Sequence, residues 1–353
     1  MKELTTAEKV HDAFDKLGAG HAITVDLQLR ATADQLLALD AQDPSGGPKL
    51  TRAQAEQMAG IGITVAVSSD KPVKDALQSA SADTGKLDPS LNMDLTVHSG
   101  TGAVLAEVRA VSGKEYLKLD FAALSEIGPS DQGSAGDLAD LRSMSASLPP
   151  SMGALKNLLQ GKWVSIDPAK FASFSKSLQS SGSGSGTNAA RPSAAPSLDA
   201  AQQKKLTDAL TGVFEKDVHL TDKGTKDGID TVELKAGNTR TLLADVQKQV
   251  FPVLKSIPGF PGGLPTSAPT GVPTTPAVAT LGIDTSSGTL SSVALDAGQF
   301  DTKHPGTHLP LVLGFKDTAA AVSAPAGAVE FDPASLGDMM SGLVGGSDTA
   351  PLN

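Results

Sequence analysis

The chain has 353 residues, with 36 Gly, 22 Pro, one Trp, one Tyr and no Cys, and a formal net charge of −10. An acidic balance with 3% aromatic residues lacks both the basic footprint and the stacking platforms that nucleic-acid binding requires. Zero Cys excludes disulfides, Cys-ligated zinc or iron–sulfur sites and a thiol nucleophile, and no apolar run reaches the roughly 18 residues of a membrane-spanning helix.

Taken in chain order, the first element is a helix over Thr6–Leu17, capped by Thr5 or Thr6 and stopped by Gly18, with Val10, Phe14 and Leu17 on one stripe. Ala22–Ala31 then alternates: Ile23, Val25, Leu27 and Leu29 share one face, and Thr24, Asp26, Gln28 and Arg30 the other, as in a half-buried strand. Short helices are predicted over Ala33–Leu39 and Thr51–Ala59. The alternation returns over Ile61–Val67 and then in three close strands, Asn92–Ser99, Ala103–Val111 and Lys114–Asp120. The short gaps Gly100-Thr101-Gly102 and Ser112-Gly113 make these an antiparallel meander. A helix over Ser151–Leu159, a short strand at Trp163–Ile166 and a helix over Pro168–Leu178 follow.

The second half repeats the style. A helix is predicted over Asp199–Leu210. Strands at Asp217–Thr221 and Ile229–Lys235 flank a turn over Asp222–Gly228. A helix over Thr239–Ile257 carries Leu243, Val246, Val250, Leu254 and Ile257 at helical spacing, with Pro252 forcing a kink or an end near Phe251. Strands over Ala277–Asp284 and Thr289–Asp296 enclose the turn Thr285–Gly288. A last strand spans Leu309–Lys316, and a helix spans Pro333–Leu343. The fold class is α+β: about eleven strands in one large twisted antiparallel sheet, with several helices laid on one face. Low-complexity stretches near 128–136, 180–197 and 258–276 read as flexible insertions. They interrupt a single domain over 1–353, because neither half alone offers a complete set of strands.

Chemistry is sparse. His304-Pro-Gly-Thr-His308 has ligand-like spacing, but Pro305 and Gly306 make a turn that cannot set both rings on one helix face. Ser173-Phe-Ser-Lys176 matches S-x-x-K without its companion motifs, and Gly182-Ser-Gly-Ser-Gly186 lacks the strand and helix of a phosphate cradle. Asp137 and Asp140, and Asp222, Asp227 and Asp230, read as turn formers. No catalytic residue, metal or cofactor is expected. A hydrolase would have to draw its base from His98, His219, His304 or His308.

Two motifs carry a resemblance. Val108-Arg-Ala-Val-Ser-Gly-Lys-Glu-Tyr-Leu-Lys118, followed by Gly161-Lys-Trp-Val-Ser-Ile-Asp167, resembles the LprG/LppX-type lipoproteins of the LolA-like superfamily. In that family a V-R-x-V strand precedes a K-x-Y-x-K strand and, later, G-K-W-V-x-[IL]-D. The helix leading into a long first strand, and the late hairpin Ala277–Asp296 with its Gly288 turn, are similar to the family as well. The resemblance implies a half-open barrel wrapped over helices, with an apolar cavity for a lipid or other hydrophobic ligand. It also implies an extracytoplasmic protein tethered to the membrane by a lipidated Cys. That Cys is missing here; a mature domain beginning just after it accounts for the missing leader too. The low-complexity insertions and the helical stretch Ala33–Ala59 depart from the family pattern.

Candidate cavity residues are those on the apolar faces: Ile61, Ile63, Val65, Leu95, Val97, Val108, Leu119, Leu155, Leu158, Leu159, Val246, Val250, Leu254, Leu281 and Leu311. Periodicity leaves two readings open, a hollow that holds the ligand and a core filled by these same side chains. The expected function is accordingly a non-enzymatic lipid-binding or carrier domain of the cell envelope. The alternative is an envelope interaction or sensor module with a protein partner and no ligand.

Overall fold

A computed structural model of the chain describes residues 4–42, 49–78, 88, 90–127, 145, 152–168, 170, 205, 208–209, 212–213, 216–255, 273–301, 306–319 and 321–331. The described helices are α1 (Thr6–Lys16), α2 (Ala33–Gln42), α3 (Arg52–Met58), α4 (Val73–Gln78), α5 (Phe121–Ile127), α6 (Gly153–Leu159), α7 (Thr239–Gln249) and α8 (Phe251–Lys255). The strands are β1 (Ala22–Leu29), β2 (Gly62–Ser68), β3 (Asn92–His98), β4 (Val104–Val111), β5 (Lys114–Leu119), β6 (Val164–Ile166), β7 (Val218–Lys226), β8 (Ile229–Ala236), β9 (Val278–Asp284), β10 (Leu290–Asp296), β11 (Pro310–Lys316) and β12 (Val329–Glu330). All the strands lie in one open 12-stranded sheet, in the order β12-β6-β5-β4-β3-β2-β1-β11-β10-β9-β8-β7. Every neighbouring pair is antiparallel except β12–β6. The two halves of the sheet join where β1 pairs with β11, Val25 opposite Phe315 and Leu27 opposite Leu313.

The order follows from local chemistry wherever strands are joined by tight turns. Ser112 and Gly113 (φ 51° and 76°) connect β4 to β5, and Asp227 and Gly228 (φ 52° and 79°) connect β7 to β8. Left-handed backbone at both central residues matches the twist of a two-residue hairpin, and Asp-Gly suits it because Gly has no Cβ to clash. The turn expected over Asp222–Gly228 is therefore shorter than its composition suggests. β7 continues to Lys226, with a register shift at Asp222/Gly224 taking up the extra residue.

Other departures are equally local. β12 is a two-residue parallel addition that carries no periodic signal. α4 and α5, at six and seven residues, are too short for a helical period to stand out. The helix expected over Thr239–Ile257 is divided at Val250 into α7 and α8, as Pro252 requires. On α1 the buried position is Ala13, at 0% exposure, whereas Phe14, expected on the buried stripe, is 47% exposed. The close approach of α1 to the sheet leaves room for the small side chain and turns the large one out. The predicted helices over Pro168–Leu178, Asp199–Leu210 and Pro333–Leu343 lie wholly or largely outside the described residues, as do the stretches 128–136, 180–197 and 258–276.

Alternation gives the sheet one apolar face, and α1 to α4 gather there. α1, held by a Thr5–Glu8 capping box, lays Val10, Ala13 and Leu17 against Val232, Leu281, Ile283 and Leu290. α4 covers Ile23 and Val67 through Val73 and Ala76. α2 and α3 close on Ala31, Leu29 and Leu309 through Leu36 and Ala55. Leu281→Ala removes a side chain that is 2% exposed at the centre of the first of these clusters. It should lower the unfolding free energy by about 2–5 kcal/mol in urea titrations.

The N-terminal helix is also pinned by charge. Lys9 Nζ lies 3.2 Å from Asp222 and 2.9 Å from Asp230, at the tip of the β7–β8 hairpin. The Lys9 hydrogen bond, with the Thr225 hydroxyl second, holds the Asp230 carboxyl below its ordinary value, and the two carboxylates hold the Lys9 ammonium above its own. The depressed Asp230 contributes stability that is present above its unfolded value of about 3.9 and is lost as pH falls through the folded value. The raised Lys9 contributes stability that is present below about 10.4 and is lost as pH rises through its folded value. Lys9→Met should cost roughly 0.5–1 kcal/mol at pH 7. The deficit relative to the unmutated chain should shrink in melts as pH falls through the folded value of Asp230, where that carboxylate loses its charge.

Candidate functional site

Among the described residues, helices cover the two ends of the apolar face and not its centre. Leu27 on β1 stands opposite Ile63 on β2, and Ile63 opposite Val97 on β3. Val65 stands opposite Leu95, and Leu95 opposite Val108 on β4. Val97 leads through Ala106 to Leu119 on β5. Register places all these side chains on one face, and four of them remain exposed: Leu27 40%, Ile63 39%, Leu95 37% and Val108 40%. Leu281, on the same face but beneath α1, is 2% exposed. The difference lies in whether a helix sits above, since the strands are alike in composition. An apolar floor thus runs across β1 to β4, between the α1 and α4 end and the α2 and α3 end. A contiguous aliphatic surface of this kind is costly to leave in water and is a candidate binding face.

The sequence-predicted residues divide by location. Ile61 precedes β2 and is half-buried, its carbonyl accepting the Leu29 N–H at 3.0 Å. Ile61, Ile63, Val65, Leu95, Val97, Val108, Leu119 and Leu311 all belong to the apolar face, with Leu311 opposite Leu29. Leu281 belongs to it too, as part of the α1 core. Leu155 and Leu158 are half-buried and Leu159 buried on α6, which packs on β5, β6 and β12. Val246 and Val250 lie on α7 and its C-terminal cap, whose main described partner is α8. The Leu254 side chain lies outside the described residues. Leu27 is an exposed member of the floor that the candidate set omits, although its place in the β1 alternation was enough to find it.

The opposite face is polar and closed by charge. Thr64 Oγ1 donates to Asp26 at 2.9 Å, and Arg109 Nε lies 2.9 Å from Asp94 Oδ2 and 3.0 Å from Glu107 Oε1. The Arg109 guanidinium stacks on Trp163 at 5.0 Å from the ring centroid, with Lys118 Nζ at 5.9 Å. The chain leaving β11 crosses this face to reach β12. Thr318 O accepts from Thr24 Oγ1 at 3.0 Å, Val322 N–H donates to Ser68 Oγ at 3.4 Å, and Ser323 O accepts from Arg109 at 3.2 Å. Arg109, Tyr116, Lys118 and Trp163, four of the residues in the two motifs, therefore gather on the polar face, where Tyr116 is 8% exposed opposite Arg109, while Val108 of the same motif lies on the apolar face. They secure strand order and are separate from the apolar floor.

A second concavity, of about 210 Å³, lies between α2 and the loop before β11, lined by Gln35, Ala38, Leu39, Gln42, Gly306, Thr307 and His308. His308 Nδ1 lies 2.6 Å from Asp296 Oδ2. Burial raises the Asp296 carboxyl, but hydrogen bonds from His308 and from the backbone N–H groups of Leu309 and Gly298 outweigh it and hold the carboxyl below its ordinary value. The carboxylate thereby orders the turn at Ala297–Phe300. His304, Asp137, Asp140 and Ser173–Lys176 lie outside the described residues. Among the described residues no three His, Asp or Glu side chains converge on a metal position. Asp222 accepts from Gly224 N–H at 2.7 Å, the turn-forming role its composition suggested.

Arg109→Met would leave Glu107, which is 8% exposed, and Asp94 without their counter-charge. It should cost about 1–3 kcal/mol in denaturant titrations while leaving the apolar floor intact. No protein-family model matches the chain, and no characterised protein matches it in sequence.

Proposed function

We propose that this protein binds or carries a lipid or other apolar ligand on the floor formed by Leu27, Ile63, Leu95 and Val108, and that it is not an enzyme. The observation that carries this reading is the exposure of those four side chains, 37–40% each, on a face whose two ends are covered by helices. Each methylene withdrawn from water there contributes about 0.8 kcal/mol, so about ten methylenes would supply about 8 kcal/mol towards binding. No cofactor enters this function. In this reading the sheet is a half-open barrel of the LolA/LprG kind, the 1–353 chain is one domain, and the protein works outside the cytoplasm at the cell envelope, tethered by an N-terminal lipid anchor. The motif residues around Arg109 and Trp163 support the kinship through the sheet they stabilise.

The second reading is an interaction module. It draws on β7, a nine-residue edge strand whose one sheet partner is β8, which a protein partner could extend by strand addition. Against it, Lys223, Lys226 and the Asp222/Gly224 register shift blunt that edge.

Native mass spectrometry of protein purified from a host close to its own, followed by organic extraction, separates the two. A stoichiometric co-purified lipid is expected; a clean apo mass with no uptake of N-phenyl-1-naphthylamine would overturn the ligand reading in favour of the module. Leu95→Gln and Val108→Gln should each weaken probe binding about 10-fold, the equivalent of about 1.4 kcal/mol of lost apolar contact. Because both positions are already partly exposed, urea midpoints should stay within about 1 kcal/mol of the parent.

A further inference from the structure

β1 and β2 are antiparallel neighbours whose ends meet directly, Leu29 N–H to Ile61 O at 3.0 Å. A two-residue turn would join such strands, yet the chain leaves the sheet after Leu29 and returns at Ile61 with α2 and α3 between. The two helices are tied to each other. Arg52 pairs with Asp34 at 2.6 Å, and Leu50 N–H donates to Asp40 Oδ2 at 3.0 Å. Their apolar contact with the sheet runs through Leu29 and Leu309, while Leu36 and Leu37 of α2 and Ala55 and Met58 of α3 pack in the same cluster around Ala31. α3 packs chiefly on α2 and α5, not on a strand.

The far end of α3 is fastened by polar contacts. Gln57 O accepts from Gly100 N–H at 2.6 Å, and Gln57 Oε1 accepts from Thr101 Oγ1 at 2.9 Å. Gln57 Nε2 donates to Glu126 Oε2 on α5 at 3.1 Å. Gly100 sits so close beneath that a Cβ there would lie 1.5 Å from Ala59 O. The β3–β4 turn is thus a catch into which the end of α3 fits, provided residue 100 has no side chain.

From this geometry we infer that α2 and α3 form a lid on the apolar floor, hinged where β1 and β2 meet and latched at Gln57 and Gly100 on the β3–β4 turn. The inference rests on the ligand reading above and adds its regulation. Closed, the lid bounds the floor at the Leu29–Leu309 end. Open, it adds Ile61 and Leu311 to the ligand's path. An element that meets the sheet through few apolar residues and is latched by exposed side-chain hydrogen bonds opens at a lower free energy than the sheet that carries it.

Because the chain has no native Cys, a Gln57→Cys/Thr101→Cys pair can be bridged with dibromobimane to lock the lid shut, while the unbridged pair lacks the latch's Gln57 side-chain hydrogen bonds. Release of N-phenyl-1-naphthylamine should be at least 10-fold slower from the bridged form than from the unbridged one. Gly100→Ala, which prises the catch open by sterics alone, should speed release over the parent and raise hydrogen exchange across α2 and α3 but not in β1 and β2. Equal release from bridged and unbridged protein, with probe bound in both, would overturn the lid and leave the ligand reading standing. Failure of every form to take up probe would overturn both. Should the cysteine pair not fold, unchanged exchange in Gly100→Ala would by itself defeat the lid.

Discussion

An antiparallel sheet built from alternating residues has one face that water solvates and one that it does not, and the second must be covered. Here that demand extends over a 12-stranded sheet. The short described helices meet it in parts. α1 closes the β8–β10 region, α4 the start of β1 and the end of β2, and α2 with α3 the opposite end. The aliphatic side chains between those coverings stay in contact with solvent. The packing of the helices, the position of the floor and the proposed ligand all depend on this mismatch between the area of apolar face and the area of helix available to cover it.

The polar face solves the complementary problem. It holds strands from distant parts of the chain in order by charge and ring contacts. Charge pairs at Asp94, Glu107 and Arg109, the Trp163 ring before β6 and the contacts of Thr318, Val322 and Ser323 link β1, β2, β3, β4 and β6 laterally. Lys9 does similar work at the other end, joining the N-terminal helix to a hairpin more than 200 residues later. With the polar face engaged in holding the sheet and the apolar face only partly covered, the two faces have separate roles. A substitution on the polar face therefore reports on stability, and a substitution on the floor on the proposed binding.

The titratable groups fit the same division. Asp284 illustrates it: hydrogen bonds from the Ser286 hydroxyl and from the Ser287 and Ser286 N–H groups push its carboxyl down to about 2, and what it secures is the β9–β10 turn. Asp296 with His308, and Asp222 with Gly224, likewise order loops. Asp284 and Asp296 accept several local hydrogen bonds each, which stabilises their ionised form.

Much of the sheet was legible in the residues. The period-2 runs of β1 to β5 and β8 to β11, and the Gly-containing turns between them, are short-range signals that depend on neighbouring positions alone. Ile63, Leu95 and Val108 were identifiable as members of an apolar face for the same reason. The pairing of β1 with β11, the parallel addition of β12 and the burial of Ala13 in place of Phe14 were not, because each depends on a partner distant in sequence. The need for glycine at position 100 appears only when the end of α3 is seen resting on it. By itself the sequence determined which side chains share a face, since alternation follows from strand geometry. Which of them a helix covers and which stay open was decided only by tertiary structure, because exposure depends on what packs above a residue and not on what stands beside it in the chain.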